Sequence, residues 1–201
     1  MYVLRTLLAL TAIGLTIAAA AHLAGGQPVA AAFVAAYLVW VLSEARITMG
    51  APTQSAAENH TLVPYAVARV ATALTAAYST PAAPVIFGVV LAGAFVAGVT
   101  VRAWAIHEFG VHYSHRVLRI PEGDLVSSGP YRVLRHPAYA GMLLANIGFA
   151  GYFASPASIA ALALLVAAVL WRIRTEEDIL TESPHYRAFA NTRRRIVPGV
   201  W

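Results

Sequence analysis

Two short polar stretches in an otherwise apolar chain hold the side chains that could do chemistry. The first is Arg135-His136-Pro137-Ala138-Tyr139-Ala140-Gly141 and the second is Trp171-Arg172-Ile173-Arg174-Thr175-Glu176-Glu177-Asp178. In the first, Pro137 disfavours helical backbone at His136 and suits the first helical position, so a helix should begin at Pro137 just after an extended histidine. The free amides of its first turn can bind an anionic group such as a carboxylate. Gly141, one turn in, leaves room for a ligand or for a neighbouring helix. A His-Pro pair that merely starts a helix would look the same. In the second stretch Arg172 and Glu176 stand four apart, so a continuing helix sets them on one face. Such a pair is either a plain helix salt bridge or a cation for an anionic substrate beside a carboxylate for a cationic ligand.

Four of the seven histidines fall between His107 and His136. His107, His112 and His115 fit one helix face only loosely, and neither cysteine nor an HExxH motif accompanies them. Histidines at a span end are therefore expected in preference to a metal site. A chain without cysteine also excludes thiol catalysis, disulfides and Cys-ligated zinc.

A membrane scaffold must position these residues. Of 201 residues, 59% are hydrophobic and 11% charged, against about 25% charged in soluble domains; mean hydropathy is +0.66. This excludes an ordinary soluble enzyme and a disordered chain, and the length suits one domain. Apolar runs predict helices over residues 2–23, 29–47, 62–78 and 82 to about 107, then a polar stretch, then 138–153 and 157–171. The last two are short for full crossings and are joined only by Ala154-Ser155-Pro156, which predicts a tight hairpin that stops short of the full hydrocarbon thickness. The expected fold class is all-α, a polytopic membrane helix bundle of five to six transmembrane or re-entrant helices. Residues 1–107 would form the N-terminal spans and residues 108–201 a C-terminal cytosolic catalytic region. The stretch from Gly50 to Asn59 reads as a polar cytoplasmic loop.

All 14 basic residues are arginines, and the formal net charge is +5. In a lipid-embedded chain such a balance sets orientation; nucleic-acid binding would call for a clustered patch with aromatic platforms. Arg5 stands at the start of the first run and Arg46 ends the second; Arg116, Arg119, Arg132 and Arg135 lie between the fourth and fifth, with Arg102 near that boundary. Arg172, Arg174, Arg187, Arg193, Arg194 and Arg195 follow the sixth run, whereas the connections 24–28, 79–81 and 154–156 carry no arginine. The pattern puts both termini and the polar segment on the cytoplasmic side of the cell membrane. The N-terminal run shares features with a signal peptide, in Arg5 and the small residues Ala18 to Ala21; we expect it to be kept as the first span. Arg69 falls mid-span, where an ion needs a partner or a water-filled cavity. Snorkelling, a structural pair with Glu44 or Glu58, and a substrate contact are the alternatives.

Taken in order, these features resemble the isoprenylcysteine carboxyl methyltransferase family of integral-membrane methyltransferases and, more distantly, the phospholipid N-methyltransferases. The resemblance runs from about Arg102 to Trp201. It rests on Tyr113-Ser114-His115, Leu125-Val126-x-x-Gly129-x-Tyr131, Arg135-His136-Pro137-x-Tyr139-x-Gly141, Arg172-x-x-x-Glu176-Glu177, and a tail from Pro184-His185-Tyr186 through Arg195-Ile196-Val197-Pro198-Gly199. It implies S-adenosylmethionine as methyl donor from the cytosol, S-adenosylhomocysteine as product, and a lipophilic acceptor from the bilayer. Carried over residue by residue, the donor-binding positions are Gly123, Asp124, Leu125, Val126, Tyr131, His136, Pro137, Ala138 and Tyr139. Glu176 would hold the donor's amino group and Arg172 would face the acceptor; His115, Gly141 and Glu177 are further candidates. No metal and no nucleic acid are implied as partners. The chain departs from the family pattern in having Gly123-Asp124 where relatives often have His before Leu-Val, and in having no Asn before Tyr113.

A carboxylate acceptor is already ionised at neutral pH, so methyl transfer to it needs alignment and no general base. Arginine's planar fork suits that task. The acceptor expected is thus the carboxylate of an isoprenoid or prenylcysteine-like lipid. An amine head group must first lose a proton, to a base such as His115 or Glu177. A non-catalytic membrane scaffold of the same fold is the third reading.

Overall fold

The computed structural model describes residues 2–49, 56–110 and 126–197. Among the described residues there are seven α-helices: α1 (Tyr2–Ala24), α2 (Pro28–Met49), α3 (Ala56–Ala77), α4 (Val85–Phe109), α5 (Pro137–Tyr152), α6 (Pro156–Leu180) and α7 (Pro184–Asn191). A 3₁₀ turn, Gly129–Arg132, precedes α5. Proline opens α2, α5, α6 and α7, where its missing N–H would have had no intrahelical partner anyway. A reciprocal Ser155–Ser158 capping box also fixes the start of α6. The chain is all-α over the described residues, as its apolar runs predict.

The helices α1, α4 and α6, and α2 from Pro28 to Ala45, are long and apolar enough to cross a membrane, and the chain is an integral membrane protein. Large apolar side chains such as Leu10, Ile13, Ile17, Ile86 and Val89 point outward, which suits lipid as the surrounding solvent. Two expectations are corrected. The second arm of the hairpin is not short: α6 continues through Arg172 and Glu176 to Leu180, 25 residues in all, or about 37 Å. The charged run resembles a helix exit, but no glycine or proline interrupts it before Pro184. The loop from Gly50 to Asn59 is shorter than expected, because α3 already begins at Ala56, among good helix formers; residues 50–55 lie outside the described ones. The 16-residue α5 spans about 24 Å, less than the hydrocarbon core, as expected of that arm.

An aromatic core binds α2, α4 and α5 together. Phe33 stands edge-on to Phe95 at 5.1 Å and to Phe149 at 5.3 Å, with Tyr37, Trp40 and Phe153 buried alongside. Glycines let the α4 and α5 backbones touch: a Cβ on Gly98 would lie 2.4 Å from the Ala145 nitrogen, and one on Gly148 would lie 2.4 Å from the Leu91 carbonyl oxygen. Gly141 takes part in the same contact, with the Gly98 carbonyl oxygen 2.6 Å from where its Cβ would be. Close approach through small residues is how helices associate in lipid, and here it clamps the helix that begins with His136-Pro137. Gly98→Val should therefore destabilise the protein by about 1–3 kcal/mol or more through overpacking. Thermal unfolding in detergent would register this, and an unchanged midpoint would mean that the contact yields without cost.

Candidate active site

Pro137 starts α5 and keeps His136 out of the helical region, at φ −125° and ψ 57°; the fully extended backbone expected of His136 is not reached, since its ψ falls short of the β region. The His136 carbonyl accepts from the amides of both Tyr139 and Ala140 at 3.1 Å. Pro137 has no N–H, so the Ala138 amide is what remains of the first turn to meet a ligand. The C-terminal tail straps this corner from outside: the Arg135 amide donates to the Arg194 carbonyl at 2.7 Å and the His136 amide to the Arg195 carbonyl at 3.0 Å. Side chains reinforce the strap, Arg135 Nε donating to the Arg193 carbonyl at 2.9 Å and Arg193 Nε to the Tyr131 carbonyl at 2.8 Å.

The helix α6 brings the second stretch against this corner. The Tyr139 hydroxyl donates to Glu176 Oε1 at 2.6 Å and accepts from Arg172 Nε at 2.7 Å. Arg172 Nε also lies 3.1 Å from Glu176 Oε1, closing a three-membered cluster. Arg172, 1% exposed, further donates from Nη1 to Thr61 Oγ1 on α3 at 3.1 Å. His136 Nδ1 stands 3.9 Å from Glu176 Oε2, and its Nε2 stands 3.2 Å from Glu177 Oε1.

The two adjacent carboxylates therefore differ in office. Glu177 receives Arg135 Nη1 at 3.1 Å and Arg195 Nε at 2.7 Å in addition to His136, and so ties the tail to the corner. Glu176 faces inward, shared with Tyr139 and Arg172 through one oxygen while the other looks towards the imidazole.

An apolar cluster flanks the polar one. Tyr131 and Ala138 are buried with Ala105, Tyr186, Phe189 and Ala190, and Val126 packs against them. Burial pushes the Tyr186 hydroxyl above the usual phenol range, and the negative charge of Glu177 acts in the same direction.

Beneath these, α2, α3 and α4 converge on Glu44. Arg69 Nη1 meets Glu44 Oε2 at 2.9 Å, Trp40 Nε1 donates to Oε1 at 2.9 Å, and Arg102 grips the carboxylate from Nε and Nη2. Arg69 also stands over the Trp40 ring, 4.6 Å from its centroid. The pair with Glu44 anticipated for Arg69 is thus present. Arg102 Nη1 extends to the Ala138 carbonyl at 3.1 Å, joining this buried cluster to the first turn of α5.

Of the residues singled out from sequence, His136, Tyr139, Arg172, Glu176 and Glu177 come together in the polar cluster, and Val126, Tyr131 and Ala138 in the apolar one, with Pro137 buried between. Gly141 faces α4. Gly123, Asp124, Leu125 and His115 lie outside the described residues. Sequence reasoning missed Thr61 and Tyr65 on α3 and the anchoring parts of Arg135 and Arg195. The first two carried a signal, since Thr61, Tyr65 and Arg69 repeat at four-residue spacing within an apolar run.

The family model of the isoprenylcysteine carboxyl methyltransferase (ICMT) family matches residues 89–182, from within α4 to just beyond α6, and so includes both stretches of the polar cluster. The chain is similar to Uncharacterized protein YpbQ of Bacillus subtilis (strain 168), with 30% identity over 83 residues, 41% of this chain and 49% of that protein. It is also similar to Protein-S-isoprenylcysteine O-methyltransferase B of Arabidopsis thaliana, with 29% identity over 113 residues, 52% of this chain and 54% of that protein. The chain spans about half the length of these curated relatives. The segment over which the chain is similar to the isoprenylcysteine carboxyl methyltransferase family thus holds both the His136-Pro137 corner and the Arg172–Glu176 pair.

Proposed function

We propose that the protein is an S-adenosylmethionine-dependent methyltransferase that esterifies the carboxylate of a lipophilic, isoprenoid or prenylcysteine-like substrate at the cytosolic membrane face. The observation that carries this reading is the Tyr139 hydroxyl joining Arg172 to Glu176, which sets a cation and a carboxylate together beside the first turn of α5. The residues present fit the donor: Glu176 matches its ammonium, the Ala138 amide its carboxylate, and the apolar surface of Val126 and Tyr131 its uncharged part. When bound, the donor supplies an electrophilic methyl group on a sulfonium.

The protein's own work is to bind, orient and exclude water. Arg172 orients the acceptor oxygen without neutralising it, because its Nε is shared between Tyr139 and Glu176. A carboxylate nucleophile has no proton to lose. Glu177, occupied by Arg135, His136 and Arg195, is not open to take a proton from an ammonium acceptor. Arg172 would also repel such an acceptor, which favours the carboxylate over a phospholipid amine. The arginine distribution supports an orientation with the cluster and both termini in the cytosol.

Methyl-labelled donor, offered with a prenylcysteine analogue and with phosphatidylethanolamine, tests the reading. Base-labile label in the prenylcysteine analogue is the expected result. Base-stable label in the phospholipid would move the assignment to head-group N-methylation.

A further inference from the structure

Among the described residues four buried side-chain polar atoms lack a hydrogen-bond partner, and three of them lie on α3: the Tyr65 hydroxyl and the Nε and Nη2 groups of Arg69. Tyr65 is only 4% exposed, and unsatisfied donors in a lipid-embedded interior are costly enough to call for a ligand. Both residues lie on α3, one turn apart and on the same face. One turn earlier on that face, Thr61 accepts from Arg172, and the Tyr65 ring lies 6.3 Å, edge-on, from the Tyr139 ring. A helical side chain leans towards the N-terminus of its helix, so Arg69 reaches back towards Tyr65 and the Arg172 cluster.

The chemistry of the open donors is specific. Glu44 occupies Arg69 Nη1, which leaves the side edge of the guanidinium, where Nε–H and one Nη2–H run parallel. That edge is matched by the two oxygens of one carboxylate. A carboxylate presents one oxygen to each N–H group and keeps lone pairs for the Tyr65 hydroxyl, and it supplies the negative charge that the guanidinium edge favours.

We infer that the side edge of Arg69 and the Tyr65 hydroxyl receive the carboxylate of the lipophilic acceptor, so that α3 completes the acceptor side of a site whose donor side is built by α5 and α6. The inference rests on the proposed function, and it adds two residues that contact the acceptor to Arg172. The acceptor's charged end would lie between Arg172 and Arg69, with its apolar chain in the bilayer.

The test is binding of a farnesyl thioether carboxylate and of its neutral carboxamide to the detergent-purified full chain, by calorimetry without donor. Wild type should prefer the carboxylate by about tenfold or more, as expected for charge-assisted hydrogen bonds. Arg69→Lys keeps a cation for Glu44 but loses the fork, and should abolish most of this preference. Tyr65→Phe, which removes only the hydroxyl, should reduce it about threefold. Donor affinity should be unchanged in both variants, which doubles as evidence that they are folded. No preference in wild type, or a preference retained in both variants, would overturn the inference even if methyl esters form. Failure of wild type to bind the donor would instead overturn the functional reading, while the carboxylate preference would still report on Arg69 and Tyr65.

Discussion

Glu176→Gln should weaken S-adenosylmethionine binding by roughly 30- to 1,000-fold, the effect of about 2–4 kcal/mol expected when one partner of a buried, hydrogen-bonded charge pair is removed. The amide keeps the size of the side chain and can still accept from the Tyr139 hydroxyl, which now meets Oε1 at 2.6 Å. The loss is confined to charge: the ammonium of the donor has no counter-ion, and Arg172 loses the carboxylate at 3.1 Å. Calorimetric titration of the purified variant measures it. Affinity equal to wild type would reject Glu176 as the donor's counter-charge and leave it as half of a helix salt bridge.

On the proposed function, Arg172→Ala should lower turnover at saturating donor by about 100-fold or more, through loss of the group assigned to orient the acceptor oxygen. Sequence spacing alone would treat this change as independent of donor binding. The geometry says otherwise, since Arg172 Nε holds both Tyr139 and Glu176 and its Nη1 holds Thr61. Truncating it leaves a partly buried carboxylate short of its cation, a defect that costs about 3–5 kcal/mol where pairs are fully buried. The thermal midpoint should fall, and donor affinity should fall with it. Arg172→Lys separates the two roles: it restores charge near Glu176 and hence stability, but not the planar fork, so turnover should stay low. Wild-type kinetics in Arg172→Ala would show that the arginine only braces α6.

Several helix beginnings were legible because proline announces them: Pro137 predicts the start of α5 and the non-helical His136 before it, although that residue is less extended than expected. The end of α6 was not, because charges that leave a membrane span and charges that continue a helix look alike until their partners are known. Arg172 and Glu176 are tolerated there by Tyr139, from another helix. The polar cluster of His136, Tyr139, Arg172 and Glu176 was readable as short motifs, each within one stretch of chain. The contribution of α3 was less so: Arg69 stands out as a mid-span ion and Thr61, Tyr65 and Arg69 share one face, but only packing shows that Thr61 meets Arg172 and that Tyr65 meets Tyr139. Glu44 and Arg102, which are far apart in sequence, are likewise joined only by the fold. The tail arginines read as orientation signals, and their second use as a strap depends on backbone bonds to Arg135 and His136 that composition does not reveal.

The central claim is that the corner at His136-Pro137 and the carboxylate of Glu176 bind a methyl donor. Calorimetric titration of the detergent-purified full chain with S-adenosylmethionine and S-adenosylhomocysteine tests it most directly. Micromolar binding of both, lost in Glu176→Gln, is the predicted result. No binding of either by the wild-type protein would contradict the account and leave a membrane scaffold that has this family's fold without its chemistry.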